Sequence, residues 1–99
     1  KSVQVAEPIL DYLLSLVQRS RQHPDLLLGA SPRCAVAWLQ TSQAAAWLAG
    51  RDYVTPDDLK AVAPPVLRHR LILRPESLLD GIQIETLIAN LLNQVPVPR

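Results

Sequence analysis

The sequence predicts an all-α chain, a small bundle of four to five helices that allows one very short strand pair, and two observations lead there. Apolar residues recur at helical spacing in several separate stretches, and most of those stretches open with a proline or with a hydroxyl residue followed by one. The composition, 48% hydrophobic against 19% charged, is that of a globular chain rather than a disordered one. A chain of 99 residues fits one domain, residues 1–99, and at this size burial of roughly 60 to 70% of the unfolded surface is expected. Met is absent, position 1 included, so the chain is expected to be a fragment of something longer.

The first helix is expected from Glu7-Pro8, with Ile9, Leu10, Leu13, Leu14, Leu16 and Val17 forming a broad apolar face. Arg19 and Arg21 complement the negative end of its dipole, and Pro24 stops it at about Gln22. The second has the clearest start: Ser31 caps, Pro32 occupies the first turn, and Gly50 ends a run to about Ala49. Ala35, Val36, Leu39, Ser42, Ala45, Ala46 and Ala49 let a neighbour approach closely, which predicts that this helix is central. Core packing is the role expected of both Trp38 and Trp47.

Arg51-Asp52-Tyr53-Val54 reads as a short extended connection into Thr55-Pro56-Asp57-Asp58, where a cap, a proline and two carboxylates start a third helix. Its buried stripe reads Leu59, Val62, Ala63, Val66, Leu67, Arg70 and Leu71, but Pro64-Pro65 interrupts it. A proline inside a helix costs about 3 kcal/mol or more, which predicts two short helices or one sharp kink. Leu71-Ile72-Leu73 is expected to be extended and to pair with Tyr53-Val54. Pro75 to Gly81 reads as a loop. A last helix carries Ile84, Leu87, Ile88, Leu91 and Leu92 and ends before Pro96, leaving residues 95–99 as an extended tail.

Composition narrows the chemistry. A net charge of +1 gives no field that calls for nucleic acid or a membrane surface. Eight of the ten basic residues are Arg, whose planar fork suits phosphate or carboxylate, though a GC-rich genome accounts for the same bias. One cysteine, Cys34, forms no internal disulfide, and no Cys/His spacing suits zinc, so no metal site is expected and a reducing cytoplasm is the default. No apolar run nears the ~20 residues of a membrane span, and no signal peptide opens the chain. The sequence offers no phosphate loop and no nucleophile–base pair, hence no catalytic residue. His23 and His69 read as surface or satisfied polar residues. Cys34 reads as a small buried hydrophobe, with a lowered pKa only if its first-turn position were exposed.

The exception is Leu28-Gly29-Ala30-Ser31-Pro32-Arg33. A glycine permits close backbone approach, Ser31 and Pro32 fix a helix start, and Arg33 projects from a first turn whose free N–H groups favour an anion. The same residues also describe a plain helix start with a solvated arginine.

Gly29-Ala30-Ser31-Pro32-Arg33 resembles the GASPR motif of the MoxR branch of AAA+ ATPases. The resemblance runs on through Gly50-Arg51-Asp52-Tyr53-Val54-Thr55-Pro56-Asp57-Asp58-Leu59, Val66-Leu67-Arg68-His69-Arg70-Leu71 and Val95-Pro96-Val97-Pro98, in the family's order. It implies a lid domain that follows an ATP- and Mg-binding α/β domain, with Arg33 as the sensor-2 residue and Gly29, Ala30, Ser31 and Pro32 positioning it. It also implies neighbouring subunits in a ring, a hexamer in the family's usual form, and von Willebrand A domain proteins as partners for chaperone-like assembly or cofactor insertion. Arg68-His69-Arg70 belongs to the pattern and is expected to be structural or intersubunit. Position 34 is commonly alanine in the family and is Cys here. Two further classes compete: a histone-like DNA-binding or dimerising module, and a plain helical interaction bundle.

Overall fold

The computed structural model describes residues 3–98. Its elements run α1 (Glu7–Arg21), β1 (Leu26–Leu28), α2 (Pro32–Leu48), α3 (Pro56–Leu67), β2 (Ile72–Leu73), α4 (Pro75–Leu79) and α5 (Ile84–Gln94). This is the helical bundle with a short strand pair that the sequence predicts.

The helix starts are local chemistry. Among the described residues, four of the five helices carry proline in the first two positions, where its missing N–H removes a group that has no partner inside the helix. Ser31 Oγ accepts from the Cys34 N–H at 3.0 Å. Thr55 and Asp58 close a reciprocal capping box: Thr55 Oγ1 accepts from the Asp58 N–H at 3.3 Å, and Asp58 Oδ2 accepts from the Thr55 N–H at 2.8 Å.

Each long helix then turns one stripe inward. Tyr12, Leu13, Leu16, Val17 and Ser20 are buried on α1, and Leu87, Ile88, Leu91 and Leu92 on α5. On α2 the buried row is Cys34, Trp38, Ser42 and Ala46, a strict four-residue step whose small members let α3 pack closely against it. Trp38 is the centre of this contact. It is fully buried, and its indole Nε1 donates to the Leu59 carbonyl at 2.8 Å, so the largest ring in the core leaves no orphan donor.

Several expectations are corrected. Trp47 is 49% exposed and is not a core residue: it lies nine residues from Trp38, two and a half turns, and therefore on the opposite face. Pro64 and Pro65 neither split nor end α3, which runs unbroken to Leu67. They fall in its final turn, and the burial there of Val66 and Leu67, about 1.5 to 3 kcal/mol each, offsets the cost of the prolines. Because the helix ends at Leu67, Arg70 leaves the buried stripe and is exposed.

β2 pairs antiparallel with β1, Leu26 opposite Leu73 and Leu28 opposite Ile72, and not with Tyr53-Val54. Tyr53 instead makes an isolated parallel bridge to Gln4. Burial of Leu26 and Leu71 anchors the observed pairing in the core, while the Tyr53-Val54 segment is already engaged by Gln4, whose carbonyl accepts from the Val54 N–H at 3.0 Å. Pro75–Gly81 is not wholly a loop, since its first five residues form α4. Proline heads that turn, and Ser77 Oγ donates to Asp25 Oδ1 at 2.8 Å, a contact 52 residues apart that local patterning does not reveal. Val95 is extended (φ −110°, ψ 126°), residues 96–98 have no regular structure, and Arg99 of the expected tail lies outside the described residues. Among the described residues no helix is long and apolar enough to cross a membrane.

Candidate functional site

The Gly29–Arg33 segment joins β1 to α2 and rests on the end of α1. A Cβ built on Gly29 would stand 2.6 Å from the Ser20 carbonyl oxygen and 2.7 Å from Arg21 Cα. Among the described residues the positive-φ glycines are Gly50 and Gly81, so crowding against α1, and not backbone conformation, requires glycine at 29. Ala30 is 1% exposed, and both of its backbone polar groups are claimed by α1 side chains. Its N–H donates to Ser20 Oγ at 2.9 Å, and its carbonyl accepts from Arg21 Nε at 2.8 Å. Ser20 Oγ in turn donates to the Val17 carbonyl at 2.6 Å.

Ser31 then caps α2, Pro32 opens it, and Arg33 follows with its side chain exposed. The first-turn donors are nearly all spoken for. Pro32 has none, Cys34 donates to Ser31 Oγ and Ala35 donates to the Ser31 carbonyl at 2.9 Å. Among the described residues the Arg33 N–H and guanidinium have no partner. A free cationic fork and a free N–H thus share one residue at the positive end of a helix dipole.

The other arginines of interest are engaged. Arg68 bridges α3 to α5 through Nε to Glu85 Oε2 at 2.6 Å and Nη2 to Glu85 Oε1 at 3.2 Å. Arg70 Nη1 donates to the Val66 carbonyl at 2.8 Å, closing the end of α3. Arg51 meets Asp58 with both nitrogens. Cys34 is buried at 2% exposure, and burial pushes its thiol above the ordinary range, against a smaller opposing pull from the charge of Arg70. It is the small buried hydrophobe expected, next to Arg33 in sequence but buried where Arg33 is exposed. His23 Nδ1 accepts from the Asp25 N–H at 3.1 Å within the turn before β1, and His69 is exposed.

Sequence reasoning found the residues from 29 to 33 but missed Ser20 and Arg21, which hold them. Ser20 carried a usable signal: it continues the apolar stripe of Leu13, Leu16 and Val17, and a hydroxyl on a buried stripe needs a partner. Arg21 carried none beyond its place in the last turn.

The AAA lid domain family model matches residues 18–91, from the end of α1 to α5 and across the whole 29–33 segment. This chain belongs to the AAA lid domain family. The lid is 42% identical over 98 residues to the uncharacterised protein YeaC of Bacillus subtilis, covering 99% of this chain and 31% of that one. It is 35% identical over 104 residues to Chaperone MoxR1 of Mycobacterium tuberculosis, covering 96% of this chain and 28% of that one. A crystal structure of a candidate ATPase from Cytophaga hutchinsonii superposes with a TM-score of 0.92 at 32% identity, covering 99% of this chain and 32% of that one. The lid therefore spans about a third of the length of the relatives it matches. The assignment selects the lid reading over the histone-like and plain-bundle ones.

Proposed function

We propose that this lid acts as the sensor-2 element of a MoxR-type AAA+ ATPase, with Arg33 meeting a phosphate of ATP held, together with Mg, by an α/β domain of the same longer chain. The observation that carries the reading is the state of Arg33: exposed at the head of α2, with guanidinium and N–H both unengaged among the described residues. Phosphate is the ligand such a donor set suits, because a planar fork, a free N–H and a helix dipole all favour the same charge.

Arg33 then stabilises the closed arrangement of lid and α/β domain when paired, and ceases to do so when the pair is lost. A charge-assisted bond of about 1.5 to 3 kcal/mol biases a two-state hinge without driving it alone from nearly all open to nearly all closed. In a ring, a hexamer in the family's usual form, the resulting rotation moves neighbouring subunits. Chaperone-like assembly or cofactor insertion, with von Willebrand A domain proteins as partners, is the work such a motion serves in this reading. That one similar protein is named a chaperone agrees with it.

The test is Arg33→Ala in the complete ATPase chain. ATP affinity is expected to fall about 10- to 150-fold, with turnover reduced. The 99-residue lid carrying the same change should melt as before, since the side chain is exposed. Unchanged ATP binding and turnover would overturn the assignment.

A further inference from the structure

We propose that Ser20 and Arg21, the last turn of α1, are positioning residues for Arg33, a clamp that ties the orientation of α1 to the place of the arginine; this rests on the sensor-2 reading. Three contacts on one side of a single loop, and one within α1, support it. Ser20 Oγ takes the Ala30 N–H at 2.9 Å, and Arg21 Nε gives a bond to the Ala30 carbonyl at 2.8 Å. Ser20 is itself fixed by donating to Val17, and Gly29 packs so tightly on the Ser20 and Arg21 backbone that a Cβ would fall within 2.7 Å of them.

The consequence is geometric. Both polar groups of the Ala30 peptide neighbourhood are held by neighbours at the end of one helix, so the loop has little freedom to translate along α1. Ser31 caps α2 immediately afterwards, and Arg33 stands two residues beyond. A shift of α1's last turn is therefore carried into α2's first turn through the crowded Gly29, the buried Ala30 and the Ser31 cap. Ser20 is fully buried, but Arg21 is exposed overall, so a structural role alone would ask little of its charge. Its Nε, the nitrogen nearest its own backbone, is the one used, and this holds the stem of the side chain along the loop.

The test is a double-mutant cycle in the complete ATPase chain, with Arg21→Gln, Arg21→Lys, Arg33→Ala and the Gln/Ala pair, read by binding of a fluorescent mant-ATP probe and by kcat and KM. Arg21→Gln is expected to weaken mant-ATP binding about three- to tenfold, less than Arg33→Ala. Arg21→Lys should recover most of the loss, because an ammonium can still donate to the Ala30 carbonyl. The pair should bind no more weakly than Arg33→Ala alone. If Arg33→Ala weakens binding while Arg21→Gln does not, or if the two losses add, the clamp is overturned and the sensor-2 reading stands. If Arg33→Ala changes nothing, the sensor-2 reading fails and the proposal with it.

Discussion

Asp58 receives both terminal nitrogens of the Arg51 guanidinium, each at 2.7 Å, while the same carboxylate closes the capping box at the head of α3. One residue at 7% exposure thus joins the connection that follows α2 to the start of α3. Arg51 is held from two more directions, donating to the Tyr53 carbonyl at 3.1 Å and lying 5.6 Å from the centre of the Tyr53 ring. The Arg51 contact is the main reason the Asp58 carboxyl is held below its usual range; burial opposes this, and the Thr55 N–H and hydroxyl add to it.

A pH dependence follows. A carboxyl whose folded pKa is depressed contributes stability that is fully present above its unfolded value, about 3.9, and is lost as pH falls through the folded value below that. Thermal melts from pH 6 down to pH 2 should therefore show a steeper loss below about pH 4 in the native chain than in Asp58→Asn. Equal slopes would mean that Asp58 titrates alike in both states. Thr55→Ala, which removes only the hydroxyl of the box, should cost about 1 kcal/mol, and Asp58→Ala more, since it severs every contact at once.

Gly29→Ala is expected to destabilise the lid by about 1 to 3 kcal/mol, because the new methyl meets backbone that cannot rotate away. Gly50→Ala meets open space and costs only the strain of φ +81°, about 1 kcal/mol. Urea denaturation of the two variants separates them, and a Gly29→Ala no worse than Gly50→Ala would contradict the crowding against α1.

The two tryptophans give a third expectation. Trp38→Phe should leave a chain whose remaining indole, Trp47, emits to the red and is readily quenched by acrylamide, whereas Trp47→Phe should leave blue-shifted, protected emission from Trp38. Trp38→Ala should cost about 3 to 5 kcal/mol, the range for emptying a large buried site, and Trp47→Ala clearly less. Similar quenching in both single-Trp chains would refute the burial difference.

What the sequence disclosed and what it hid divide by range. The heads of α2 and α3 were legible because Ser31-Pro32 and Thr55-Pro56-Asp57-Asp58 act within one turn. The opposite fates of Trp38 and Trp47 follow from the half-turn offset between them, nine residues along one helix. The β1–β2 pairing and the Asp25–Ser77 contact were not legible, because they join residues across roughly half the chain and leave no local mark. The candidate site shows the same division. Residues 29 to 33 stand out as a motif, while Ser20 and Arg21, which hold it, are separated from it by the whole of β1.

Cys34 offers a direct probe of that site's surroundings. With the thiol 2% exposed and pushed upward by burial, iodoacetamide should alkylate the native lid only at the rate of its opening, and rapidly once urea unfolds it. The pH sign is opposite to that of Asp58. A group whose folded pKa is raised contributes stability that is fully present below its unfolded value, about 8.5 for a thiol, and is lost as pH rises through the folded value. Melting temperatures should therefore decline as pH rises above about 8.5 more steeply in the native chain than in Cys34→Ala. Fast alkylation of the folded lid, or parallel pH profiles, would show that the head of α2 opens beneath Arg33 far more readily than its packing against the core implies.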